Sequence, residues 1–185
     1  MIGPAIATRY SPVICRQLKA VLVLPGGVLV LVPALIIWST SNTDAAARYI
    51  GPANPGFWLG AIFGAIGLGF AIWTVRLFIT RGEGTLAPWD PPQQLVILGP
   101  YRHVRNPMIS SVYMMLLAES LMLNAWIIAV WLSVFFLVNE IYIPCSEEKA
   151  LEARFGETYL RYKTNVPCWL PNPFPWDPDN SGENA

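Results

Sequence analysis

Residues 20–38, AVLVLPGGVLVLVPALIIW, hold no charged side chain, and that run constrains the chain more than any other feature. At about 1.5 Å per residue, some 20 apolar residues cross a hydrocarbon core about 30 Å thick. Pro25-Gly26-Gly27 and Pro33 would distort a soluble helix; a membrane helix tolerates them where neighbours re-satisfy the freed backbone groups. Residues 57–79 form a second apolar stretch, with Arg76 near its end, where a long side chain can reach the headgroups. A third stretch, from Met108 to Ile143, is too long for one span, and Asn124 divides it into a tight hairpin. The expected fold is therefore an all-α integral membrane protein, one domain over residues 1–185, with four transmembrane helices at about 20–38, 57–79, 108–123 and 125–143. A C-terminal helical segment on the cytoplasmic side follows. The 54% hydrophobic content agrees with this class. Arg9, Arg16 and Lys19 before the first run, and Ala45 to Ala47 after it, also suit a secretory signal. The run is too long for a typical cleaved signal, so a retained helix is expected.

Charge distribution orients these spans. The totals balance, 12 basic against 12 acidic residues, and give no reason to expect a nucleic-acid partner. Counted by loop, lysine and arginine number three in residues 1–19, three in 80–107 and four after 143, against Arg48 alone between spans one and two. The positive-inside rule then puts both termini and the 80–107 loop in the cytoplasm. Cys15, Cys145 and Cys168 are too few and too scattered for a disulfide framework or a metal cluster. Gly60, Gly64, Gly67 and Ala71 form a small-residue stripe on span two that lets helix backbones approach closely. Packing within the chain is its first explanation, a homodimer seam the second.

Polar chemistry gathers in two places. The first is GPYRHVRNPM, residues 99–108, where Asn106 suits an N-cap and Pro107 a first helical position. A helix start beside Arg102 and Arg105 attracts a carboxylate or phosphate, although arginines flanking a membrane helix also serve simply as anchors. His103 has no second histidine or nearby cysteine, so metal binding is not expected; it suits a hydrogen-bonding role in a polar pocket or a plain interfacial position. The second cluster follows span four. Pro144 kinks or ends the helix, Glu147 and Glu148 open an amphipathic segment carrying Leu151 and Phe155, and Gly156 stops it. The two carboxylates either complement a helix dipole or hold an ammonium or ribose hydroxyls.

Two carboxylates lie inside the expected spans, where such groups are costly and so functional candidates. Glu140, beside Asn139, is one turn from the cytoplasmic end of span four. Glu119 is about 18 Å along the helix from Pro107 and suits a helix bridge or the outer leaflet.

The run Gly99-Pro100-Tyr101-Arg102-His103-Val104-Arg105-Asn106-Pro107-Met108, then Glu147-Glu148, Leu151, Phe155-Gly156, Tyr159, Tyr162 and Val166-Pro167, resembles the integral-membrane methyltransferases of the isoprenylcysteine carboxyl methyltransferase and phospholipid methyltransferase group. Residues 87–96, APWDPPQQLV, look like its bacterial members, which makes a bacterial inner membrane the expected location. The resemblance spans roughly residues 80–170. It implies an S-adenosylmethionine site between the loop before span three and the segment after span four, with Gly99, Pro100, Tyr101, Arg102, His103, Arg105, Asn106, Pro107, Glu147, Glu148 and Tyr159 binding the cofactor. It also implies a lipophilic acceptor entering from the bilayer. The tyrosine usual after the proline motif is absent, the chain running Pro107-Met108-Ile109-Ser110-Ser111.

The cofactor's carboxylate would suit Arg102, Arg105 and the helix start, and its ammonium or ribose would suit Glu147 and Glu148. Glu140, His103 and Arg105 are the expected catalytic residues, with Glu140 or His103 assisting any acceptor that must lose a proton. The acceptor is left open between an isoprenylcysteine carboxylate, a phospholipid amine and related molecules. A nicotinamide-dependent sterol-type reductase and a non-catalytic membrane subunit or transporter are the alternatives. The proline-rich tail from Pro171 is expected to pack loosely and carries no assigned role.

Overall fold

The computed structural model describes residues 25–77, 80–81 and 94–178, and among these there are helices and turns but no strand. A wide π turn, Gly27–Leu31, leads into α1, Val32–Thr40. Helix α2 is Pro55–Leu77 and α3 is Pro107–Met122. Helix α4, Trp126–Tyr142, passes through a second π turn, Ile143–Glu147, into α5, Glu148–Phe155. Helix α6, Glu157–Asn165, closes the helical part. The positions of Arg9, Cys15, Arg16, Lys19, the start of the first expected span, residues 78–79 and most of APWDPPQQLV lie outside the described residues.

Two helices, Pro55–Leu77 and the continuous Trp126–Phe155, are long and apolar enough to cross a membrane, and only 17% of each most apolar window is buried. Such low burial is unlike the core helix of a soluble protein and suits helices that face lipid. Pro107–Met122 is apolar but shorter than a full crossing requires, and Gly27–Thr40 is an apolar helix whose expected span begins before the described residues. Among the described residues two of the four expected spans reach full length. Four exposed aromatic residues ring one end, Trp38 at the close of α1, Tyr49 in the connection, Trp58 at the start of α2 and Trp126 at the start of α4, while Trp73 and Tyr142 are exposed toward the other. Such a belt marks a membrane–water interface.

Helices α3 and α4 form the expected hairpin. Asn124 reverses the chain with φ of +44°, a left-handed conformation that asparagine enters more readily than most residues. The α1–α2 connection is pinned to this turn by Arg48 N donating to Leu123 O (2.7 Å) and Ile50 N donating to Met122 O (3.0 Å). Val112, Leu116, Ala125 and Ile128 make the buried centre, with α1 residues Ile36 and Ile37 packed on it.

The small-residue stripe belongs to the α2–α3 seam. A Cβ on Gly67 would lie 2.9 Å from Ser111 O, and one on Gly60 would lie 2.6 Å from Met122 Cγ. A homodimer built on Gly60, Gly64 and Gly67 would have to displace α3 from this chain.

Pro144 does not end its helix. The π turn around it carries the chain straight on to Phe155, because a wider turn tolerates the missing proline N–H. Gly156 is the stop, with φ of +52°. Beyond it α6 makes with α5 a small cap whose core is Tyr159, Tyr162 and Val166, packed against Leu95, Ile97, Leu151, Phe155 and Trp176.

Candidate functional site

The decapeptide before α3 starts with Gly99, whose φ of +56° and closeness to Trp73 exclude any side chain there. Gly99–Arg102 makes one 3-10 turn that buries Pro100 and Tyr101 beneath the cap. Tyr162 Oη donates to Tyr101 O at 2.7 Å. Burial, then the neighbouring Tyr162 and Glu147, push the Tyr101 phenol well above its ordinary range; burial does the same for Tyr162. Asn106 and Pro107 open α3 as expected, but the Asn106 side chain makes no cap. It donates instead to Cys168 Sγ at 3.3 Å, a thiol whose pKa burial raises against the opposing pull of Arg105.

Arg105 is the centre of the knot that joins the two polar clusters. Its Nη2 meets Glu148 Oε1 at 2.8 Å, and its Nη1 donates to Lys163 O at 2.6 Å and Val166 O at 3.0 Å. The backbone N of Arg105 donates to Pro167 O at 2.9 Å. Glu148, 3% exposed, is held from its other oxygen by Lys163 Nζ at 2.9 Å, and Lys163 also reaches Glu152 Oε1 at 2.7 Å. Hydrogen bonds to Glu148 and Glu152 raise the Lys163 pKa. A buried carboxylate costs several kcal/mol in lost hydration, and two cations with good geometry offset that cost here. The clusters thus share one face, as expected, yet their charges neutralise each other rather than standing open.

Arg102 and His103 are engaged in the same way, and by the tail. Arg102 Nη2 pairs with Asp177 Oδ2 at 2.8 Å while its Nε donates to Trp176 O at 2.7 Å. His103 Nδ1 lies 2.7 Å from Asn172 O; a carbonyl only accepts, so Nδ1 carries the proton and donates. Asn172 N and Trp176 N return hydrogen bonds to His103 O and Arg102 O, both at 2.9 Å. The tail to Pro178 is therefore a strap over the decapeptide, not a loose end. The hydrogen bonds that hold it run largely to backbone groups, which no side-chain pattern announces.

The remaining expected residues divide. Tyr159 is buried in the core of the cap, edge-on to Tyr162. Glu147 is exposed in the π turn beside the knot, and Glu140 is exposed about two turns earlier. Near Glu140, Tyr113 from α3 meets Phe135 and Phe136 from α4 and Trp169 from the tail, with ring centroids 5.4–5.6 Å apart. Tyr113 Oη and Arg105 Nε are both buried without a hydrogen-bond partner. Sequence reasoning missed Lys163, Tyr113, Trp169, Asn172 and Trp176. Only Lys163 had a usable signal, a lysine facing two carboxylates, Glu148 and Glu152, one helical turn apart. Among the described residues no group of three or more His, Cys, Asp or Glu side chains is arranged to hold a metal ion.

A protein-family model for phospholipid methyltransferases matches residues 55–158, from the first residue of α2 to the start of α6. No curated protein matches the chain. The matched segment is more than half of the sequence and includes Arg105 and Glu148, and the chain belongs to the phospholipid methyltransferase family. Membership implies methyl transfer to a lipid-type acceptor.

Proposed function

We propose that this member of the phospholipid methyltransferase family transfers a methyl group from S-adenosylmethionine to the amine of a membrane lipid. The proposed site lies at the membrane surface, between the Gly99–Pro107 loop and the start of α5. The contact of Arg105 with Glu148 carries this reading, because it joins at 2.8 Å two polar segments that stand far apart in sequence. A cofactor with carboxylate, ammonium, ribose and sulfonium groups needs cationic and anionic partners within one small volume, and this knot supplies both.

The residues present fit the cofactor in a corrected way. Arg102, Arg105 and Glu148 build the floor, since their charges are matched within the chain. Exposed Glu147 is the anion left to face an ammonium, and the orphaned Arg105 Nε is a donor that a ligand oxygen would satisfy. The faces of Tyr113, Phe136 and Trp169 suit a neighbouring positive charge. S-adenosylmethionine, when bound, supplies an electrophilic methyl group. Glu140, near the end of α4, accepts the proton that an ammonium headgroup must lose before its nitrogen lone pair attacks the methyl carbon. Holding amine and methyl group in line supplies much of the rate.

Four membrane segments are part of the proposal, α1 and the short α3 crossing beside α2 and α4. The knot faces the cytoplasm: Arg48 is the lone cation of the opposite end, whereas Arg76, Arg81, Lys149, Arg154 and Arg161 accompany the knot. The test is purified protein in vesicles of amine-headed phospholipid, given methyl-labelled cofactor. Label is expected in the lipid extract, with Glu147→Gln cutting incorporation at least about tenfold. Label confined to water-soluble products overturns the reading.

A further inference from the structure

A second binding site is suggested at the opposite end of the α2–α3 seam. A groove of about 390 Å³ opens there, walled by Gly64 and Leu68 of α2, Met115 and Met122 of α3, and Tyr49 of the connection, with Glu119 as the carboxylate among its lining residues. Glu119 Oε2 is buried and has no hydrogen-bond partner. A carboxyl oxygen held in apolar surroundings without a donor costs free energy, and nothing in the surrounding fold recovers it. The volume falls within the range of small-ligand pockets, about 300–1,000 Å³.

The groove is graded along its length. Tyr49 and Met122 stand at the end marked by the aromatic belt, Glu119 lies within one turn of the end of α3, and Met115 and Leu68 line the deeper part. This grading matches an amphiphile with a hydrogen-bond-donating, cationic head and an apolar tail. We propose that the groove binds a lipid with an ammonium headgroup, its N–H groups donating to Glu119 and its chain lying along Leu68 and Met115. The charge of the carboxylate selects this occupant over a neutral lipid with the same chains. The site is separate from the knot, since Glu119 and Arg105 stand near opposite ends of α3.

The full-length protein is tested in detergent by native mass spectrometry against two probes with identical chains, one ethanolamine-headed and one glycerol-headed. The parent is expected to retain the amine-headed lipid about tenfold better, as one charge-assisted hydrogen bond permits. Glu119→Gln keeps the shape, removes the charge and should cut that preference at least about threefold. Leu68→Trp, on the exposed side of α2, fills the groove and should remove both. Glu147→Gln, which addresses the proposed methyl-transfer site, should leave retention unchanged, so the two proposals fail separately. Equal retention of both probes by the parent, or an undiminished preference in Glu119→Gln, overturns the proposal.

Discussion

Glu148 and Glu119 are carboxylates at opposite ends of one helical unit, and they are treated in opposite ways. Glu148 is buried and fully engaged, one oxygen on Arg105 and the other on Lys163. Glu119 keeps a buried oxygen with no partner beside an open groove. The first charge is architecture, since removing it leaves Arg105 with carbonyl partners alone and Lys163 with Glu152 alone. The second is unspent chemistry. A buried charge therefore points to a ligand only where the fold has left it unanswered.

The largest expected difference lies in stability. Glu148→Gln removes the only carboxylate paired with Arg105 among the described residues and should cost up to about 3–5 kcal/mol, the range for breaking a buried pair, measured by unfolding in mixed micelles. Glu119→Gln should change stability little or raise it, because it removes a charge from apolar surroundings. Equal losses for the two variants would erase the contrast.

Alkaline pH sharpens it next, since the cap holds phenols and a lysine whose pKa values are raised while the groove end is not expected to respond. Burial raises Tyr101, Tyr159 and Tyr162, and hydrogen bonds to Glu148 and Glu152 raise Lys163. A group with a raised pKa contributes stability that is complete below its unfolded value and lost as pH rises through the folded one. The cap should be indifferent to pH across neutrality and loosen above about pH 10, where unfolded phenols and lysines begin to titrate. Near-ultraviolet circular dichroism follows this, and Tyr162→Phe should shrink the alkaline change. A cap equally stable at pH 9 and 11.5 would remove this distinction between the ends.

The smallest effect belongs to the strap. Arg102 and Asp177 are partly exposed, so Asp177→Asn should cost no more than about 1 kcal/mol in the same unfolding experiment. A larger loss would make the strap a structural equal of the knot.

Much of this was legible in sequence. Asn124 marked the hairpin because few residues take a left-handed turn between apolar runs, and Gly156 marked the end of α5 for the same reason. The meeting of Arg105 with Glu148 followed from folding that hairpin. What escaped was how the charges are used. Arg102 and Arg105 looked available for a ligand because their partners, Asp177 and the carbonyls of Lys163, Val166 and Trp176, lie far along the chain. Pro144 looked like a kink or an end because local rules presume an α-helical turn, and the π turn carries the helix past it.

That turn makes a single rod serve two surroundings. Its extra residue shifts the angular phase by roughly 100°. Before it, Leu137, Val138 and Ile141 point outward; after it, Glu148 points inward to Arg105. Deleting any one residue between Ile143 and Glu147 would restore an ordinary pitch and rotate α5 about its own axis. Glu148 would then swing away from Arg105 and Lys163, as a mistimed gear tooth leaves its groove, though every side chain of the knot were still present.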